Sequence, residues 1–86
     1  MKLKRRSENW RRKLPRPIQI RHGKKLTLLS DCRQYALDLP DGEAQQEPWQ
    51  RAVELMMAAA TGGDLEAVVA QFERILIHRN KLVLEP

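Results

Sequence analysis

The residues able to do chemistry in this chain are few. It has one cysteine, Cys32, and two histidines, His22 and His78. A thiol nucleophile needs a base within hydrogen-bond reach, and neither histidine stands at a spacing from Cys32 that signals such a pair. Cys32 falls in the first turn of an expected helix, where the positive end of the helix dipole can depress a thiol pKa. Its place on the apolar side of that helix favours packing in the core instead. One thiol and two imidazoles far apart in sequence do not form a metal-ligand set. No glycine-rich phosphate loop, Ser/His/Asp set or HExxH pattern occurs. Gly62-Gly63-Asp64 precedes a helix whose N-terminus could hold an anion, but Asp64 would repel that anion and reads as the helix cap. Glu54, Glu66 and Glu73 read as solvated helix faces rather than as a paired acid and base. No convergent polar constellation remains, so neither catalysis nor a metal or other cofactor is expected.

Positive charge is the other resource. The formal net charge is +5 and the pI about 9.9, but the charge is unevenly placed. From Met1 to Lys13, seven basic residues face Glu8 alone, a balance of +6. Residues 14–25 add +4 through Arg16, Arg21, Lys24 and Lys25, and residues 26–86 carry −5. A basic front thus precedes an acidic body. Cations at this density can neutralise phosphates along a nucleic-acid backbone. The expected contacts are Lys2, Lys4, Arg5, Arg6, Arg11, Arg12, Lys13 and Arg16, extended at a hairpin tip by Arg21, His22, Lys24 and Lys25. No helix-turn-helix, zinc-finger or RNA-recognition signature accompanies them, so binding without sequence specificity is the expected form. His22 could make the contact pH-sensitive. Two other readings of the front stay open. It could simply solubilise the chain, or form a helix aligning Leu3, Trp10 and Leu14 between cations, as in a membrane-surface helix. Trp10 could equally dock back onto the acidic body.

The elements that must position these residues follow from length and pattern. Eighty-six residues, 42% hydrophobic and 31% charged, suit one small soluble domain. No apolar run of signal-peptide or membrane-span length appears, so a cytoplasmic protein is expected. Leu14-Pro15-Arg16-Pro17 ends a flexible basic arm over residues 1–14. Ile18-Gln19-Ile20 and Leu26-Thr27-Leu28 alternate apolar and polar across Arg21-His22-Gly23-Lys24, which predicts a β-hairpin. A two-residue His22-Gly23 loop would put the two leucines on the wrong face. A three-residue loop Arg21-His22-Gly23, with Gly23 in the left-handed position, pairs Ile18 with Leu26 and is preferred.

Three helices follow. Ser30 is the expected N-cap of the first, with Asp31 in its first turn and Cys32, Tyr35, Ala36 and Leu39 on its apolar side, up to Pro40. Asp41-Gly42 reads as a turn and residues 43–47 as an acidic loop. Pro48 opens a second helix, with Trp49, Ala52, Val53, Met56, Ala59 and Ala60 as its buried stripe and Gly62-Gly63 as its stop. Asp64 caps a third, whose Leu65, Val68, Val69, Phe72, Ile75 and Leu76 form the strongest stripe, with Asn80 at its end. Leu82-Val83-Leu84 is an apolar tail. The layout is α+β, β-β-α-α-α, over residues 15–84. Leu37, Leu55, Met57 and Ile77 lie off the stripes and are candidates for contact with another protein or a second copy, because a core this small gains from a partner.

Pro17-Ile18-x-Ile20 with Gly23, Ser30-Asp31 before a helix ending Leu39-Pro40, Trp49-x-x-Ala52, Gly62-Gly63, and Ala67 with Phe72 together resemble the small bacterial family catalogued as domain of unknown function 982, over residues 15–84. The resemblance implies this layout and a bacterial cytoplasmic setting, and no activity. The function expected is a small binding or adaptor module whose basic arm meets an anionic partner, nucleic acid foremost. The alternative is a protein-interaction or dimerisation domain with a merely solubilising arm.

Overall fold

Pro15 and Pro17 carry no amide hydrogen, and the first strand bends around that lack. In the computed structural model, which describes residues 8–21, 23 and 25–79, β1 (Lys13–Gln19) pairs antiparallel with β2 (Lys25–Leu28). Ile18 faces Leu26 and Gln19 faces Lys25, the register of the three-residue loop. Lys13 faces Leu28, so residues 14–17 stand against Thr27 alone. The strand bulges where its prolines cannot donate, and Thr27 sends its amide to the Asp31 carboxylate at 3.0 Å instead. Gly23 supports the loop for a different reason from the one expected. Gly62 is the described glycine with a positive φ; at Gly23 a Cβ would lie 3.1 Å from Ile20 Cγ2, so closeness to that side chain is what favours glycine.

The strand reaches further back than the sequence suggests. Residues 13 and 14, assigned to a flexible arm, belong to β1, and Leu14 is buried. The preceding residues are docked as well. Asn9 donates its amide to the Ala60 carbonyl at 2.7 Å, and the carbonyls of Trp10 and Arg12 accept the amides of Ser30 (2.8 Å) and Leu29 (2.9 Å). Residues 10 and 11 form a turn, so the membrane-surface helix through Trp10 and Leu14 is not formed. Leu3, its third member, lies outside the described residues.

Helix α1 (Leu29–Leu37) starts two residues earlier than expected, with Leu28 rather than Ser30 before its first turn. Asp31 fixes that start by accepting the amides of Thr27 and Leu28 and the Thr27 hydroxyl. The stretch read as turn and acidic loop holds a single helical turn, α2 (Asp41–Ala44). Extended Pro40 leads into it and accepts the Ala44 amide at 2.9 Å. Four residues are too few to show a periodic stripe, which is why the sequence hid it. The helices among the described residues therefore number four, not three.

Helix α3 (Glu47–Ala60) has Gln46 before it and Pro48 in its first turn. It closes as expected on Gly62-Gly63. Gly62, at φ +107°, sends its amide to Ala59 (3.1 Å), and Gly63 sends its amide to Ala58 (2.8 Å), the pair of bonds that defines a Schellman stop. Asp64 then caps α4 (Leu65–His78) through the Glu66 amide at 2.9 Å. Arg79 follows the last turn, while Asn80 and Leu82-Val83-Leu84 lie outside the described residues.

The helices cover one face of the hairpin. Ile18, Ile20, Leu26, Leu29, Cys32, Trp49, Met56, Val68, Val69, Phe72 and Leu76 form one buried cluster with four small alanine and aliphatic neighbours plus Leu14. At its centre the Trp49 and Phe72 rings meet edge to face at 5.3 Å and 83°, with Tyr35 5.8 Å from Trp49. Two apolar assignments change. Val53, placed on the buried stripe, is 42% exposed, because α3 turns Trp49, Ala52, Met56 and Ala59 inward and leaves Val53 at the edge. Leu55, offered as a partner contact, instead packs half-buried against the core. No helix among the described residues is long and apolar enough to cross a membrane.

Truncating Phe72 to alanine should cost about 3–5 kcal/mol in chemical denaturation. Gly63→Ala should destabilise far more than Gly42→Ala, since a Cβ at 63 would lie 2.8 Å from the Ala58 backbone oxygen while one at 42 meets nothing within 4 Å. Equal effects at the two glycines would contradict this turn geometry.

Candidate functional site

The cations expected to share one anionic partner divide into three groups. Lys2, Lys4, Arg5, Arg6, His22 and Lys24 lie outside the described residues. Arg12 and Arg16 are engaged within the fold. Arg11, Lys13, Arg21 and Lys25 are exposed and make no ion pair among the described residues.

Arg12 is half-buried and donates to the carbonyls of Ala59 (2.6 Å), in the last turn of α3, and Gly63 (2.8 Å), in the turn after it; the Ala59 carbonyl also accepts the Gly62 amide. A guanidinium there answers the negative end of the helix dipole. Arg16, projecting from the β1 bulge, forks onto α4. It bonds Glu73 at 2.6 Å and 3.1 Å and also Glu66. Donating to Glu73, and then to Glu66, raises its pKa above the ordinary arginine value. Glu66 and Glu73 are thus partners of a strand residue rather than bare solvated faces. Glu54 pairs only with Arg51, at 3.4 Å on the exposed side of α3.

The four free cations follow the hairpin. Lys25 and Thr27 are exposed on either side of buried Leu26, and Lys13 is exposed next to buried Leu14, so both lysines stand on the outer face. Arg11 lies at the hairpin's root and Arg21 at its tip. Beside the root, the Arg33 guanidinium sits 4.9 Å from the centre of the half-buried Trp10 ring, a cation–π contact, and Trp10 Nε1 donates to Glu8 at 3.1 Å. Trp10 therefore docks onto the body, as one reading of the arm expected.

The remaining reactive residues sit apart from this face and from each other. Cys32 is fully buried; burial, and secondarily the Asp31 charge, push its thiol up to about 12, so thiolate is negligible at neutral pH. His78 is exposed in the last turn of α4. Its neighbour Arg79 does more than complement the helix end: Arg79 Nε lies 3.1 Å from Glu43 Oε2, and its guanidinium also bonds Gln46. Glu43 in turn accepts from Trp49 Nε1 at 3.3 Å. This clasp between α2 and α4 had no signal in the sequence, because its members stand 36 positions apart. Among the described residues no group of three or more His, Cys, Asp or Glu could hold a metal ion. Asp64 is occupied in capping the start of α4.

Of the four candidate contacts, Leu37 (66%), Met57 (50%) and Ile77 (51%) are exposed, and Val53 joins them in place of Leu55. Val53 and Met57 lie one turn apart on α3, whereas Leu37 and Ile77 are on other helices.

Two outcomes test this partition. Arg12→Ala should lower stability by about 1–3 kcal/mol, since the Gly63 carbonyl loses its side-chain donor and the Ala59 carbonyl keeps only the Gly62 amide, whereas Arg16→Ala, an exposed pair, should cost under about 1 kcal/mol. For Cys32, the native thiol keeps its proton after the unfolded chain, at its ordinary 9.0, has lost it, so stability should fall as pH rises from 9.0 toward about 12. Urea titrations across that window should show a shallower decline for Cys32→Ala. A native thiol that reacts freely with a thiol reagent at neutral pH would contradict its burial. No protein-family model, no curated protein and no solved structure matches the chain.

Proposed function

We propose that the protein is a small non-catalytic binding module that contacts an anionic partner, the phosphate backbone of nucleic acid, without sequence specificity. The observation that carries this reading is the location of the net charge. The described residues hold ten basic and ten acidic side chains, a balance of zero. The +5 therefore comes from Lys2, Lys4, Arg5, Arg6, Lys24 and Lys81 set against Glu85. Four of these six cations precede the docked root at Asn9, and Lys24 adjoins the hairpin cations. Arg11, Lys13, Arg21 and Lys25 extend that charge along the hairpin without partners of their own. Arg12 and Arg16 drop out, because their guanidinium groups already close structural contacts. Phosphate rather than base contact is favoured because Trp49 and Phe72 are buried in the core cluster, Tyr35 packs half-buried against their rings, and Trp10 is half-buried under Arg33. A cytoplasmic setting belongs to the same reading, as does the family resemblance over residues 15–84, which adds layout and no activity.

The second reading is association with a protein or a second copy, favoured by the exposure of Leu37, Val53, Met57 and Ile77. In that case the basic residues only solubilise.

Fluorescence anisotropy of mixed-sequence duplex DNA and of RNA, titrated at several salt concentrations, separates the two. Neutralising Lys2, Lys4, Arg5 and Arg6 to glutamine in the full chain should reduce the slope of log K against log salt by about 3–4 on duplex DNA, at ~0.9 per phosphate contact. Full-length protein that binds neither nucleic acid at low salt would overturn the first reading. Sedimentation of that protein, with Met57→Lys as comparison, then tests the second: a monomer at all concentrations would remove self-association.

A further inference from the structure

A cleft of about 350 Å³ opens between the start of α3 and the end of α4, away from the hairpin cations. Its lining is Pro48, Gln71, Arg74, Ile75, His78 and Arg79. We propose that this cleft binds a small organic carboxylate: one negative charge carried on an apolar body.

The lining matches that chemistry from both sides. Ile75 is buried and, with Pro48, offers an apolar wall. Gln71 is the buried polar residue of the core, only 8% exposed. Its two ends are fixed, Nε2 donating to the Pro48 carbonyl at 3.0 Å and Oε1 accepting from Arg74 at 3.3 Å. That second bond holds the Arg74 side chain against the cleft while leaving its other N–H groups available. Arg74 makes no ion pair among the described residues.

The charge balance selects a monoanion. Arg79 is neutralised by Glu43 at 3.1 Å. The antiparallel arrangement sets the positive end of the α3 dipole beside the negative end of α4, and the two largely cancel. Among the described residues lining the cleft, what remains is the single permanent charge of Arg74, with His78 as a further donor. An arginine fork suits a carboxylate in two-point contact, whereas a doubly charged phosphate would exceed the cationic charge available. A volume near the lower end of small-molecule pockets restricts the body to about the size of one ring.

The test uses the full chain and two probes of nearly equal shape, benzoate and benzamide, at constant ionic strength. Proton–nitrogen correlation spectra should show saturable shifts at Gln71, Arg74, Ile75 and His78 with benzoate and none with benzamide. Arg74→Gln should weaken benzoate binding about tenfold. Arg74 is exposed, so the spectrum elsewhere should be retained. Shifts that fail to saturate, equal shifts with both probes, or unchanged affinity in Arg74→Gln would each overturn the proposal. Should that variant lose its fold, the comparison of benzoate with benzamide decides alone. Neither outcome depends on nucleic-acid binding.

Discussion

The joint on which this structure turns is the docking of residues 9–14 across three elements. Backbone carbonyls of Trp10 and Arg12 take the amides that begin α1, the Asn9 amide takes the carbonyl that ends α3, and the Arg12 side chain closes the turn between α3 and α4. Helix ends expose donors and acceptors that must find partners. Here a single incoming strand supplies them at both places. Leaving such a group buried and unpaired costs about 1–3 kcal/mol, a large share of the stability of a domain this small. The strand is therefore part of the fold and not an appendage to it.

That constraint changes the meaning of the basic residues. A run of cations looks uniform in sequence, but each has a different surrounding in three dimensions. Arg12 answers carbonyls, Arg16 answers two glutamates on α4, Arg33 covers Trp10, and Arg79 closes α2 onto α4. Among the described residues, the cations outside any ion pair are fewer and better defined: Arg11, Lys13, Arg21 and Lys25 along the hairpin, Arg33 on Trp10, Arg12 on its carbonyls, and Arg74 in its own cleft. The charge that makes the chain basic and the charges that hold it together are carried by different side chains.

The core was largely legible. Helical spacing identifies Trp49, Ala52, Met56, Val68, Val69, Phe72, Ile75 and Leu76, because a helix packed on one side must repeat its apolar residues every three or four positions. The hairpin register followed from keeping Ile18 and Leu26 on one face. Errors came where that rule is weakest. Val53 sits at the border of a stripe, where a small rotation of the helix decides exposure. Residues 41–44 are too short to have a stripe. Gly23 was assigned a backbone role when its constraint is the nearby Ile20 side chain.

The sequence by itself determined the hairpin and the three longer helices, the stop at Gly62-Gly63, the cap at Asp64, and the burial of Cys32. All of these depend on neighbours within about one helical turn or on a repeat along one element. Only the tertiary structure decided that residues 9–14 dock against the helices, that Arg12 and Arg16 have internal partners, and that Arg74, Gln71 and Pro48 border one cleft. The bonds between elements behind those facts join residues 17 to 57 positions apart. Local propensity is blind to such distances, and a side chain's partner is fixed only when packing brings the two elements together.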